Sequence, residues 1–204
     1  MMERYVGYAN IPYYSQKREF LLKEGSLNSS QINKWENSLC GLMCACMVLN
    51  QFRTKSITVA ELLNRSDSAG AFNERRGWVH KGLVSLMGEY GIEGLSKKVS
   101  DLSELYSLMD KGDLIMASVS PNYLRPELKE DQNERNGHLI VIVGMTLNES
   151  GNYGLFVNDP SSEAADGGQR LLVDGTIFKQ SFSGNVIVFN NPKSKQDEKL
   201  NNIN

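Results

Sequence analysis

"WENSLCGLMCACMVLNQF", Trp35 to Phe52, passes from polar, turn-prone residues into an apolar block that holds all three cysteines of the chain. Leu42, Met43, Cys46, Leu49 and Asn50 follow helical spacing, and Asn37 or Ser38 stands where a side chain can cap the first turn. This stretch predicts a central buried helix with Cys40 at its start. A helix N-terminus concentrates unpaired backbone N–H groups and the positive end of the helix dipole, and both favour a thiolate over a thiol. Cys44 and Cys46 lie deeper in the apolar helix, where loss of solvent holds a thiol neutral. A free cysteine is more often a small core residue, so Cys40 needs partners elsewhere to be read as a nucleophile.

Upstream of this helix, residues 16–37 are polar and rich in serine and asparagine, and read as a long loop with one helical turn near Arg18 to Lys23. Downstream, Thr58 can cap a short helix, "GWVHKGLVSLMGEYG" repeats apolar residues at helical spacing, and a further helix is expected from Asp101 to Asp110. The later segments "DLIMASV", "GHLIVIVGM", "YGLFVND", "QRLLV" and "NVIVF" read as strands. Helices first and strands later predict an α+β domain, with the central helix packed on an antiparallel sheet. One domain is expected over residues 1–190, followed by a disordered tail over 191–204, "NPKSKQDEKLNNIN". The charged loop at residues 120–137 reads either as a solvated connection or as a flap over a cleft.

With 204 residues and 40% apolar content, the chain can bury a full core. Its net charge of -2 and pI near 5.8 supply no basic surplus for nucleic acid or for an anionic membrane surface. The opening "MMERYVGYANIPYYSQ" lacks a continuous apolar stretch of secretory length, and no later run is long enough to span a bilayer. Three cysteines within seven residues are expected to stay reduced, in keeping with a cytoplasmic protein. Their spacing, C-x3-C-x-C, lacks the paired pattern of a zinc site, so neither metal nor cofactor is expected.

Only two histidines are available as a base for the thiol, His80 and His138. His80 falls in the first turn of an amphipathic helix, in a segment that offers it no orienting partner, and reads as structural. His138 begins "HLIVIVGM", a strand apolar on both faces, so its imidazole stands at the mouth of a core strand. "NESGN" is a turn signal, and the strand after it ends at Asp159 with Pro160 next, so the hairpin returns Asp159 toward His138. A carboxylate there would hold the imidazole tautomer and steady an imidazolium. Register complicates the pairing. Closing the hairpin with Leu147 opposite Tyr153 sets Val141 opposite Asp159 and turns His138 to the other face. The two side chains meet only if the turn closes otherwise, for example with Thr146 against Gly151, or if a bulge shifts the count by one.

In this order, "IPYYSQ", "CGLMCACMVL", "GHLIVIVGM" and "GLFVNDP" resemble the bacteriocin-processing, double-glycine leader peptidase-like branch of the papain-like cysteine peptidases. The resemblance spans most of residues 10–190 and implies a papain-like fold and a thioester acyl-enzyme. It makes Cys40 the nucleophile, His138 the general base, Asp159 the residue that orients His138, and Gln16 an oxyanion-hole donor. Relatives usually carry that glutamine close before the cysteine. Here a long polar insertion separates the two, which leaves Asn37 as a rival donor. The implied activity is hydrolysis of a peptide or protein amide. An acyltransferase would use the same machinery, and a binding module would keep the fold without chemistry.

Overall fold

The structure is a computed structural model that describes residues 4–35, 37–53, 55–121, 124, 137–161 and 167–191. The elements run β1 (Arg4–Gly7), α1 (Arg18–Glu24), α2 (Ser29–Trp35), α3 (Cys40–Phe52), α4 (Val59–Ser66), β2 (Phe72–Asn73), β3 (Gly77–Trp78) and α5 (His80–Gly88). They continue as β4 (Gly94–Lys98), α6 (Leu102–Asp110), β5 (Leu114–Val119), β6 (His138–Leu147), β7 (Tyr153–Asn158), β8 (Leu171–Asp174), α7 (Gly175–Ser181) and β9 (Phe182–Phe189). The expected tail beyond Asn191 lies outside the described residues, as does most of the charged loop at 120–137.

An antiparallel sheet in the order β4-β9-β5-β6-β7-β8 forms the middle layer. β6 is long enough to take two neighbours on one edge, β5 along its first half and β1 along its second. Alternation along β6 serves both faces of the sheet. Leu139, Val141 and Val143 enter a core with α1 to α5, whereas Ile140 and Ile142 enter a second core with α6 and α7. This explains why β6 is continuously apolar: it has no solvent face.

α3 is likewise enclosed, with every residue from Gly41 to Leu49 buried, and its Cys44 Sγ donates to the Leu139 carbonyl of β6 at 3.2 Å. Gly41 is required by a close approach, since a Cβ at this position would lie 2.4 Å from Trp78 Cγ. Gly41→Ala is therefore expected to destabilise the fold by about 1–3 kcal/mol through overpacking. The check is a lower urea midpoint at unchanged slope, accompanied by a shift in tryptophan fluorescence.

Two sequence readings are corrected. The polar stretch before Cys40 holds more helix than the one turn expected near Arg18 to Lys23: α1 occupies that place and runs to Glu24, α2 follows it, and the two bury Leu21 and Ile32. α2 is started by a reciprocal cap: Asn28 Oδ1 accepts from the Gln31 N–H at 3.0 Å, and Gln31 Oε1 accepts from the Asn28 N–H at 2.9 Å. One buried apolar residue per helix is too sparse to produce a visible period. The second correction concerns α3, where neither Asn37 nor Ser38 is the cap. Leu39 holds that position, with no side-chain bond to the first turn. By contrast, Thr58 and Asp101 do cap α4 and α6 as their residue types predict.

Candidate active site

The β6–β7 hairpin closes with Leu147 opposite Tyr153, the simplest of the registers considered. Asn148 Oδ1 accepts from the N–H groups of Ser150 and Asn152 at 3.0 and 2.9 Å, and Gly151 takes a φ of 80° to complete the turn. The ladder then slips between Ile142 and Gly144, so that Ile142 faces Val157 and Val141 faces Asn158. The bulge at Val143 is the one-residue shift the sequence requires. It brings Asp159 to the same face as His138, and the His138 Nε2 to Asp159 Oδ1 distance is 2.7 Å, with both side chains buried.

Asp159 is held from several sides. Its Oδ1 accepts the Ser161 N–H at 2.9 Å and the Ser161 hydroxyl at 3.0 Å, and that hydroxyl also lies 3.1 Å from His138 Nε2. Its backbone N–H donates to the Gly168 carbonyl at 2.7 Å, and Tyr13 Oη donates to its carbonyl at 2.9 Å. Sequence reasoning missed Ser161. Its signal was present in "DPSS", where a side-chain acceptor two residues before a backbone N–H makes an Asx turn.

The N-terminal segment is tied to the same loop. Gln16 N–H and Ser15 Oγ both donate to the Pro160 carbonyl, at 2.9 and 3.2 Å. These bonds set Gln16 on the wall of a cavity of about 640 Å³ that is also lined by Cys40, His138, Asn37 and Ser161. Gln16 Oε1 is buried without a partner. Asn37 is exposed at the cavity edge.

Cys40 is half-buried and is the one cysteine that lines the cavity, whereas Cys44 and Cys46 are wholly enclosed. Burial pushes both enclosed thiols well up, which keeps them protonated. For His138, burial works to remove the proton. The hydrogen bond that the imidazole donates to Asp159, with the neighbouring Cys40 side chain, outweighs it and pushes the pKa from 6.5 up to about 10.

His80 also lines the cavity, with Nε2 2.8 Å from Ser118 Oγ, and burial pushes its pKa down. It therefore has an orienting partner, one that its own segment does not supply. That partner comes from β5, 38 positions along the chain, a pairing that local sequence cannot reveal. Among the described residues, no group of three or more His, Cys, Asp or Glu is arranged to hold a metal ion, and no helix is long and apolar enough to cross a membrane.

Residues 8–199 match the Peptidase C39-like family. The chain belongs to this family. Solved structures place its fold among the papain-like C39 peptidase domains. A protein described as a C39-like peptidase from Bacillus anthracis aligns with a TM-score of 0.61 at 14% identity, covering 92% of this chain and 98% of the other. The peptidase domain of Streptococcus ComA, a bifunctional ABC transporter of a quorum-sensing pathway, aligns at 0.54 and 18% identity over 75% and 91% of the two chains. A double-glycine motif protease from an AMS/PCAT transporter, solved with a leader peptide, aligns at 0.52 and 16% identity over 90% and 93%. No curated protein matches the sequence. The helical part, the central helix of Cys40 and the antiparallel sheet of this C39-like chain are thus the parts of a papain-like α+β fold.

Proposed function

We propose that this C39-like chain is a cysteine peptidase or related amide hydrolase, acting on a peptide or protein, with residues 1–190 as one working domain. The observation that carries the reading is Cys40 and His138 together on the wall of one cavity, with His138 Nε2 held by Asp159 Oδ1 at 2.7 Å.

In this mechanism the Cys40 thiolate attacks the carbonyl carbon, and the C=O electron pair moves to oxygen. The Cys40 backbone N–H and the Gln16 side-chain amide donate to that oxyanion. The His138 imidazolium then gives its proton to the departing amine as the C–N bond breaks, leaving a thioester on Cys40. Water attacks the thioester carbonyl and passes a proton to His138, the C–S bond then breaks with its electron pair returning to the Cys40 sulfur, and the acid leaves. Asp159 keeps Nε2–H engaged throughout, so the imidazole cannot rotate away. A reducing, cytoplasmic setting would keep the three thiols free.

The test is intact mass after brief treatment with iodoacetamide at mildly acidic pH. One label on Cys40 is expected, because it is the cysteine that lines the cavity, while the two enclosed thiols are buried and stay protonated. Slow labelling of all three cysteines would replace this reading with a binding module. Gln16→Ala is expected to lower kcat about a hundredfold at nearly constant KM, since an oxyanion bond is made mainly in the transition state. If the rate instead falls on Asn37→Ala, the donor is Asn37.

A further inference from the structure

One wall of the Cys40 cavity is the small hairpin of β2 and β3, and its turn, residues 74–76, carries Glu74, Arg75 and Arg76. The turn is built rather than loose. Asn73 Oδ1 accepts the backbone N–H groups of Arg75 and Arg76 at 3.0 and 3.1 Å. Below it, Phe72 lies edge-on between Trp35 and Trp78, at ring-centre distances of 4.8 and 5.1 Å, and the Trp78 indole N–H donates to the Ser38 carbonyl just before α3. α5 closes against the base of the hairpin so tightly that a Cβ on Gly82 would lie 2.0 Å from the Gly70 carbonyl oxygen.

This framework places two adjacent, exposed arginines on the wall of the cavity that Cys40 also lines. Among the described residues neither is in an ion pair, and the neighbouring Glu74 offsets only one of the two charges. Local positive charge here runs against the net charge of -2 on the chain. Guanidinium groups bind carboxylates in a forked, charge-assisted geometry, and a braced backbone lowers the entropy lost when they do so.

We infer, building on the reading of Cys40 as nucleophile, that the β2–β3 turn is an anion-recognition subsite, in which Arg75 and Arg76 grip an acidic side chain of the peptide beside the bond attacked. The enzyme therefore selects substrates by charge as well as by backbone.

The first test needs no substrate. Iodoacetate and iodoacetamide are similar in size, one anionic and one neutral, and each reacts as the Cys40 thiolate displaces iodide and forms an S–C bond. The ratio of their rates at Cys40 reads the field that the turn adds. It is expected to fall about fivefold in Arg75→Gln/Arg76→Gln and to rise in Glu74→Gln, and both differences should collapse in about 1 M salt. A ratio unchanged in both variants overturns the subsite. A Cys40 inert to both reagents overturns the nucleophile reading instead. The subsite then rests on fluorescence anisotropy with Cys40→Ala protein: an amidated peptide containing Glu should bind more tightly than its Gln counterpart, and lose that advantage in the double arginine variant. Equal binding of the two peptides overturns it. Tighter binding of the Gln peptide once its C-terminus is a free carboxylate would overturn the side-chain assignment in favour of a chain end.

Discussion

Cys40→Ala is expected to remove turnover on the order of 10⁶-fold, because without the sulfur no acyl-enzyme forms and only binding and oxyanion contacts remain. Cys44→Ala is the matched control. Cys44 sits one turn further along α3, wholly buried, with Sγ spent on the Leu139 carbonyl. Its loss leaves that carbonyl one donor short and a small gap beside β6, a stability cost of about 1–2 kcal/mol. Progress curves at matched folded fraction, checked by urea unfolding, separate the two effects. Equal loss of rate from both variants would show that the cysteines are structural.

Asp159→Asn should leave the backbone of the Asp159–Ser161 loop in place yet lower kcat about 10⁴-fold, since the amide can present N–H where the imidazole needs an acceptor. The same variant changes how stability depends on pH. His138 has a folded-state pKa of about 10 against an ordinary 6.5, so the folded chain binds this proton more tightly than the unfolded chain does. Its contribution is complete below pH 6.5 and is lost as pH rises through 10, which makes stability fall across that window. Urea midpoints measured between these limits should decline in the native chain and flatten in Asp159→Asn. An equal decline in both would separate His138 from Asp159 energetically.

The parts of the site that follow from local chemistry were legible in the sequence. α3 announces itself by apolar density, β6 by an unbroken apolar run, and the return of Asp159 by a turn signal followed by proline. Even the need for a bulge could be reasoned from strand alternation, although not its position at Val143. Illegible were features that depend on distant partners. β2 and β3 are two residues each, too short for any period, and the run leading into His80 resembled the start of its helix. β4 mixes Leu95 with Ser96, Lys97 and Lys98 because it is an edge strand with one side open to solvent. α7 takes its cap from Asp174, the last residue of β8, so its start looked like the end of a strand.

The bulge at Val143 also limits how this chain can change over time. Because side chains alternate, adding or losing one residue between Val143 and His138 would turn the imidazole to the opposite face of the sheet. A change of two residues would restore the face but slide the ring along the strand by about 7 Å, out of reach of Asp159. Length in this half of β6 is therefore frozen, and sequence drift here can proceed only by exchanging one side chain for another. Added length has to enter elsewhere, in connections such as the segment between Gln16 and Cys40, which lie outside the sheet.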